Sequence, residues 1–81
     1  MKVQKRDGSL EDFDREKLVG SFVKAGADED TANLAADDVE EWTQANAEND
    51  TVKSDAIWEY SVEVLESYDA EVAKTYREYR K

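Results

Sequence analysis

The chain contains no cysteine, no histidine and no proline. Without cysteine there is no disulfide framework, no thiolate zinc site and no thiol nucleophile. Without histidine there is no His-dependent triad, proton relay or imidazole metal site. The glycine-rich lysine signature of phosphate-binding loops is also missing. Carboxylates such as Asp37, Asp38, Glu40 and Glu41 form a charge run of the kind that marks the wet face of a helix rather than a metal or acid–base site. These absences exclude most enzyme classes, and the chain reads as a non-enzyme. No hydrophobic run approaches membrane-spanning length and the amino terminus has no apolar signal core, so the expected location is the cytoplasm with no membrane contact. Asn49-Asp50-Thr51 matches a glycosylation acceptor but reads as an interhelix loop.

What is present is a small, strongly acidic domain of 81 residues with net charge −10. A chain this short hides only about 60–65% of its surface on folding, so its stability is modest. Forty per cent apolar residues, including two Trp, four Tyr and two Phe, still suffice for a core, and this argues against a disordered tail. The net charge opposes direct binding to nucleic acid, which requires a basic face. The distribution is uneven: residues 1–24 hold six bases against five acids, and the remaining 57 residues sum to −11. A polyanionic ligand would be drawn to the amino-terminal end, but charge alone favours the plainer reading of local variation on an acidic surface, and the acidic remainder provides solubility or reflects a salt-rich cytoplasm.

The pattern predicts one hairpin followed by helices. Asp7-Gly8 lies between two short apolar-bearing runs and signals a tight two-residue hairpin turn, with the basic pair Lys5-Arg6 where the first strand enters it. Asp14 is a candidate N-cap for a helix carrying Leu18, Val19, Phe22 and Val23, which Gly26 ends. A second helix is expected from near Thr31 to near Asn46, preceded by Asp28-Glu29-Asp30 and striped by Ala32, Ala35, Ala36, Val39 and Trp42. A polar loop around Asn49-Asp50-Thr51 then leads to a third helix capped by Ser54, with Ile57, Ser61, Val64, Leu65 and Tyr68 on one side. Asp69 caps a last helix bearing Val72, Ala73, Tyr76 and Tyr79. The expected fold is mainly α (α+β): a single domain over 1–81, with a hairpin at 2–13 packed on a bundle of about four helices at 14–80. A two-stranded hairpin is marginal alone, so Val3, Leu10 and Phe13 are expected to pack on the helices.

The ordered set Lys5-Arg6-Asp7-Gly8, Glu11, Phe13-Asp14, Lys17, Ser54, Asp69-Ala70-Glu71-Val72-Ala73 and Tyr79-Arg80 resembles the ATP-cone. This is the regulatory nucleotide-binding domain found at the amino terminus of many ribonucleotide reductases and inside the bacterial repressor of their operons. A four-residue hairpin match is weak, but the set spans almost the whole chain at matching spacing. The resemblance implies an allosteric sensor that binds ATP and dATP with accompanying Mg2+. It also implies a regulated partner such as a ribonucleotide reductase, and homo-oligomers that differ between the two nucleotides. Lacking cysteine, the chain cannot carry the zinc ribbon that precedes the cone in the repressor.

The nucleotide-binding residues the resemblance implies are Val3, Lys5, Arg6, Glu11, Asp14, Lys17, Ser54 and Trp58. Lys5 and Arg6 suit phosphate, the guanidinium as a planar fork and the ammonium as a mobile charge; Lys17 joins them, and Lys53 is a weaker candidate. Glu11 and Asp14 would be repelled by phosphate and are assigned to accept from adenine N6 or a ribose hydroxyl. Each has a plainer reading: Asp14 as a cap, Glu11 as a cross-strand ion-pair partner, Lys17 as a solvated helix residue, Ser54 as a cap, Trp58 as core. A domain that has lost nucleotide binding and acts as an interaction or oligomerisation module, through Trp42, Tyr60, Tyr76 and Tyr79, is the alternative function.

Overall fold

A hairpin closed by glycine opens the fold. In a computed structural model, which describes residues 1–79, β1 (Lys2–Gln4) runs antiparallel to β2 (Leu10–Asp12), pairing Lys2 with Asp12, Val3 with Glu11 and Gln4 with Leu10. The connection is longer than the expected two-residue turn. Lys5 and Ser9 form its closing pair, Lys5 N–H donating to the Ser9 carbonyl at 2.8 Å, and Gly8 N–H donates back to the Lys5 carbonyl at 2.9 Å. This leaves Arg6-Asp7-Gly8 as a three-residue loop whose last member sits at φ +89°, a region glycine enters without steric cost. The Asp7 carboxylate accepts from the Ser9 N–H and hydroxyl at 2.9 and 2.7 Å, bracing the loop.

Strand register decides which side chains meet the helices. Val3 is buried, and period-two alternation puts its cross-strand partner Glu11, and Phe13 two residues on, on the same inward face. Leu10 pairs with Gln4 on the outward face and is 58% exposed, contrary to expectation. A chain reading of one hairpin also missed β3 (Thr51–Lys53), which pairs parallel to β1 and completes a three-stranded sheet in the order β2-β1-β3. The expected loop shrinks to Asn49-Asp50, a tight turn with φ of 53° and 60°, bracketed by paired hydrogen bonds between Glu48 and Thr51. Asn and Asp are the side-chain types best suited to positive φ after glycine.

Four helices follow the expected order. Helix α1 (Arg15–Lys24) starts at Asp14, whose carboxylate accepts from the Glu16 and Lys17 N–H groups. It ends at Gly26, φ +110°, where Gly26 N–H donates to Val23 and Ala27 N–H to Phe22, the paired bonds of a left-handed C-terminal cap. Helix α2 (Glu29–Asn46) begins two residues earlier than expected because Asp28 caps it, accepting from Thr31 N–H at 2.7 Å. Helix α3 (Ser54–Tyr68) leaves β3 without a break; Lys53 occupies the cap position with no side-chain bond, so Ser54 is its first helical residue and not its cap. Asp69 caps α4 (Ala70–Glu78), accepting from Glu71 N–H.

Small residues on α2 let the helices approach closely. Ala32, Ala35, Ala36 and Val39 are fully buried beside Phe22, Leu65 and Ala73, and the Tyr76 ring meets Phe22 edge-on at 5.3 Å. The hydroxyls of the buried Thr43 and Ser61 each bond to their own helix, Thr43 to the Val39 carbonyl and Ser61 to Ile57, so neither carries an unpaired burial cost. Trp42 is half-buried rather than core and stacks on Tyr60, with centroids 4.6 Å apart. Tyr68 and Tyr79 lie outside the core: the Tyr68 hydroxyl donates to Asp38 and that of Tyr79 to the Lys24 carbonyl. Arg80, the second residue of the carboxy-terminal pair and the end of the expected bundle, lies outside the described residues. Among the described residues no helix is long and apolar enough to cross a membrane.

Candidate functional site

The strand-to-helix junction at Lys53-Ser54 faces the hairpin, and three adjoining cavities meet there. The largest, about 610 Å³, is lined by Lys5, Arg6, Asp7, Ser54, Asp55, Trp58 and Tyr79. A second of about 320 Å³ shares Lys5, Arg6, Ser54 and Asp55 and adds Gln4, Gly8 and Lys53. The third, about 220 Å³, has walls of Val3, Phe13, Leu18 and Ile57, with Glu11, Asp14 and Lys17 among its polar groups. Ser54 lines all three.

Every residue singled out for nucleotide binding lines one of these spaces, though not in one group, while Trp42, Tyr60 and Tyr76 of the alternative reading line none of them. Lys5, Arg6 and Trp58 line the largest cavity; Val3, Glu11, Asp14 and Lys17 line the smallest; Ser54 joins them. Lys17 was expected beside the hairpin bases and instead stands with the two carboxylates. The sheet explains Glu11: paired with Val3, it is turned inward toward the helices although it is charged. Its Oε2 lies 3.3 Å from Lys5 Nζ, an ion pair across the hairpin.

The cations are held lightly. Arg6 Nε donates to Asp55 at 3.1 Å, tying the hairpin loop to the first turn of α3, with both side chains about half exposed or more. Ion pairs this exposed contribute roughly 0–1 kcal/mol, so an incoming anion displaces them at little cost. Lys17 makes no ion pair among the described residues. The first N–H groups of α3 lie in the same region, and unlike the other three helices α3 has no side chain bonded over them.

Carboxylates balance these cations. The Ser9 hydroxyl and N–H hold Asp7 below the usual carboxylate range, with help from the Lys5 charge. The Lys2 ammonium does the same to Asp12. Among the described residues no cluster of three or more Asp or Glu is arranged to hold a metal ion. The arrangement offers fork and point-charge donors plus helix N–H groups at one end, and acceptors beside an apolar wall at the other.

Sequence reasoning missed Asp55 and Tyr79 as site residues. Asp55 was readable only as an acidic residue in a helix's first turn. Tyr79 follows Val72 by seven residues and so shares its stripe, but the bond to the Lys24 carbonyl that places it beside Trp58's cavity is a long-range contact.

The family model of the ATP cone domain matches residues 1–81, the whole chain. No curated protein matches it.

Proposed function

The chain belongs to the ATP-cone family of regulatory, nucleotide-sensing domains, and from that premise we propose that it binds ATP and dATP across the junction at Ser54. The observation that carries the reading is the joining, at one residue, of a cation-lined cavity and a carboxylate-lined apolar one. The triphosphate lies against Lys5, Arg6 and the start of α3, where charged donors and helix N–H groups favour an anion. The adenosine end enters the smaller cavity between Val3, Phe13 and Ile57, with Glu11 and Asp14 accepting from the base and ribose and Lys17 bridging toward the first phosphate. Asp7 and Asp55 among the phosphate-side residues make a bare tetra-anion unfavourable, and Mg2+ travelling with the nucleotide offsets that repulsion.

The domain acts as a sensor of ribonucleotide reduction by favouring different homo-oligomers with ATP and dATP. Switching requires that the two nucleotides stabilise two arrangements unequally, and the missing ribose hydroxyl is the only chemical difference available. Calorimetric titration with Mg2+ and either nucleotide tests the site. Lys5→Ala and Arg6→Ala each weaken binding about ten- to a hundredfold, the effect of one charge-assisted hydrogen bond. Wild-type heats in both variants would remove the phosphate assignment, and one unchanging sedimentation coefficient with ATP and dATP would remove the switch.

A further inference from the structure

On the side of α3 away from the cation-lined cavity, Trp42 of α2 stacks on Tyr60 of α3 at 4.6 Å with ring planes 10° apart. Both rings are half-buried. They line a cleft of about 460 Å³ with Ala56, Glu59 and Glu63, which adjoins a second cleft of about 520 Å³ at Trp42 and Ala56. Ala56 leaves the cleft open between the two helices. Glu59 and Glu63 are four residues apart on α3, so their carboxylates share one face and repel. Both are exposed, and neither makes an ion pair among the described residues. The charged groups of the second cleft are Glu48 and Lys53.

We propose that this cleft is a docking surface for an arginine-bearing segment of a partner protein, whose guanidinium lies on the Trp42–Tyr60 stack between Glu59 and Glu63. A planar cation matches both elements. Because each ring covers the inner face of the other, the cation is attracted to an outer, electron-rich face of the pair, and its fork of donors reaches two carboxylates at once, relieving their repulsion. A lysine ammonium satisfies the charge but not the flat apolar surface. An apolar helix would bury the two carboxylates without partners, at a cost that disfavours it. Aromatic and arginine contacts of this kind dominate binding at protein interfaces.

The test uses the whole chain labelled with nitrogen-15 at low salt, and a short blocked glycine-rich peptide carrying two arginines. Titration is expected to shift the Trp42 indole resonance and the amides of residues 59–63 in a saturable way while the Trp58 indole stays in place. The same peptide with lysine binds more weakly, and with glutamine it does not bind. The double variant Glu59→Gln, Glu63→Gln alters only exposed side chains and lowers affinity about tenfold, as the loss of two partly screened charge contacts predicts. Equal shifts along the acidic face at Asp37, Asp38 and Glu41, indifferent to the double variant, would show general attraction to an acidic surface and overturn the proposal. Absence of saturable shifts at millimolar peptide, or equal binding of the lysine peptide, would overturn it as well.

Discussion

Asp14 combines a local duty with a place in the proposed site, and two substitutions separate them. Its carboxylate accepts from the N–H groups of Glu16 and Lys17 at 3.0 and 3.3 Å, satisfying two of the donors at the start of α1. The same side chain borders the cavity that holds Glu11 and Lys17. Alanine removes the cap, worth about 1 kcal/mol, and the negative charge at the helix's positive end, worth about 0.3–1 kcal/mol. For a domain of this size each kcal/mol lowers Tm by about 4–8 °C. Serine keeps the cap and removes only the charge, so Asp14→Ser should lose about a quarter to a half of what Asp14→Ala loses. For ATP the order differs: both variants lack the carboxylate acceptor and should bind about tenfold more weakly. Thermal unfolding followed by circular dichroism gives the first quantity, and calorimetry well below both transitions gives the second. If Asp14→Ser is as unstable as Asp14→Ala, the capping argument is wrong. If Asp14→Ser binds ATP like the wild type, Asp14 is a cap and nothing more.

Asp55→Asn frees Arg6 from its 3.1 Å ion pair and removes a negative charge from the phosphate-side cavity; ATP should bind at least about threefold more tightly, an exposed-pair effect, and weaker binding in calorimetry would show that Asp55 instead holds Arg6 in place for the ligand. Gly26→Ala should lower stability by about 1–2 kcal/mol in urea unfolding, from left-handed backbone strain alone: φ is +110° and the nearest atom to an added Cβ, Val72 Cγ2, is 4.0 Å away. An unchanged midpoint would contradict the cap geometry. Burial pushes the Tyr76 hydroxyl above its ordinary value of 10.0, partly offset by hydrogen bonds with Ser21 and Ser61. The folded state therefore keeps this proton longer than the unfolded chain, so the contribution is complete below pH 10 and is lost as pH rises through the higher folded value. Tyr76→Phe should flatten that alkaline decline, and a slope identical to wild type would assign the decline to other groups. On the acid side, Asp7, Asp12 and Asp28 titrate below 3.8, held down chiefly by Ser9, Lys2 and the Thr31 N–H respectively; their contributions are present above that pH and are lost as it falls through the lower folded values.

The helices were legible because their signals are local. Asp14 and Asp69 read as caps and Gly26 as a stop, since a side-chain acceptor or a positive φ acts within a turn of its own position. The family resemblance was carried by residue types at fixed spacing and needed no coordinates. β3 was not legible: Thr51-Val52-Lys53 is too short to show alternation, and its partner β1 lies almost fifty residues earlier, so only the closed fold pairs them. That pairing runs straight into α3, which is why Ser54 became the first residue of the helix instead of its cap. Leu10 shows the same limit from the other side. Hydrophobicity pointed inward, but strand register paired it with Gln4 and handed the inward place to Glu11. The sequence by itself determined the caps of α1 and α4, the stop at Gly26 and the residue set proposed for the nucleotide. Tertiary structure alone divided those residues between two cavities joined at Ser54, because which side chains share a space depends on strand register and helix packing, and both are set by contacts between distant parts of the chain.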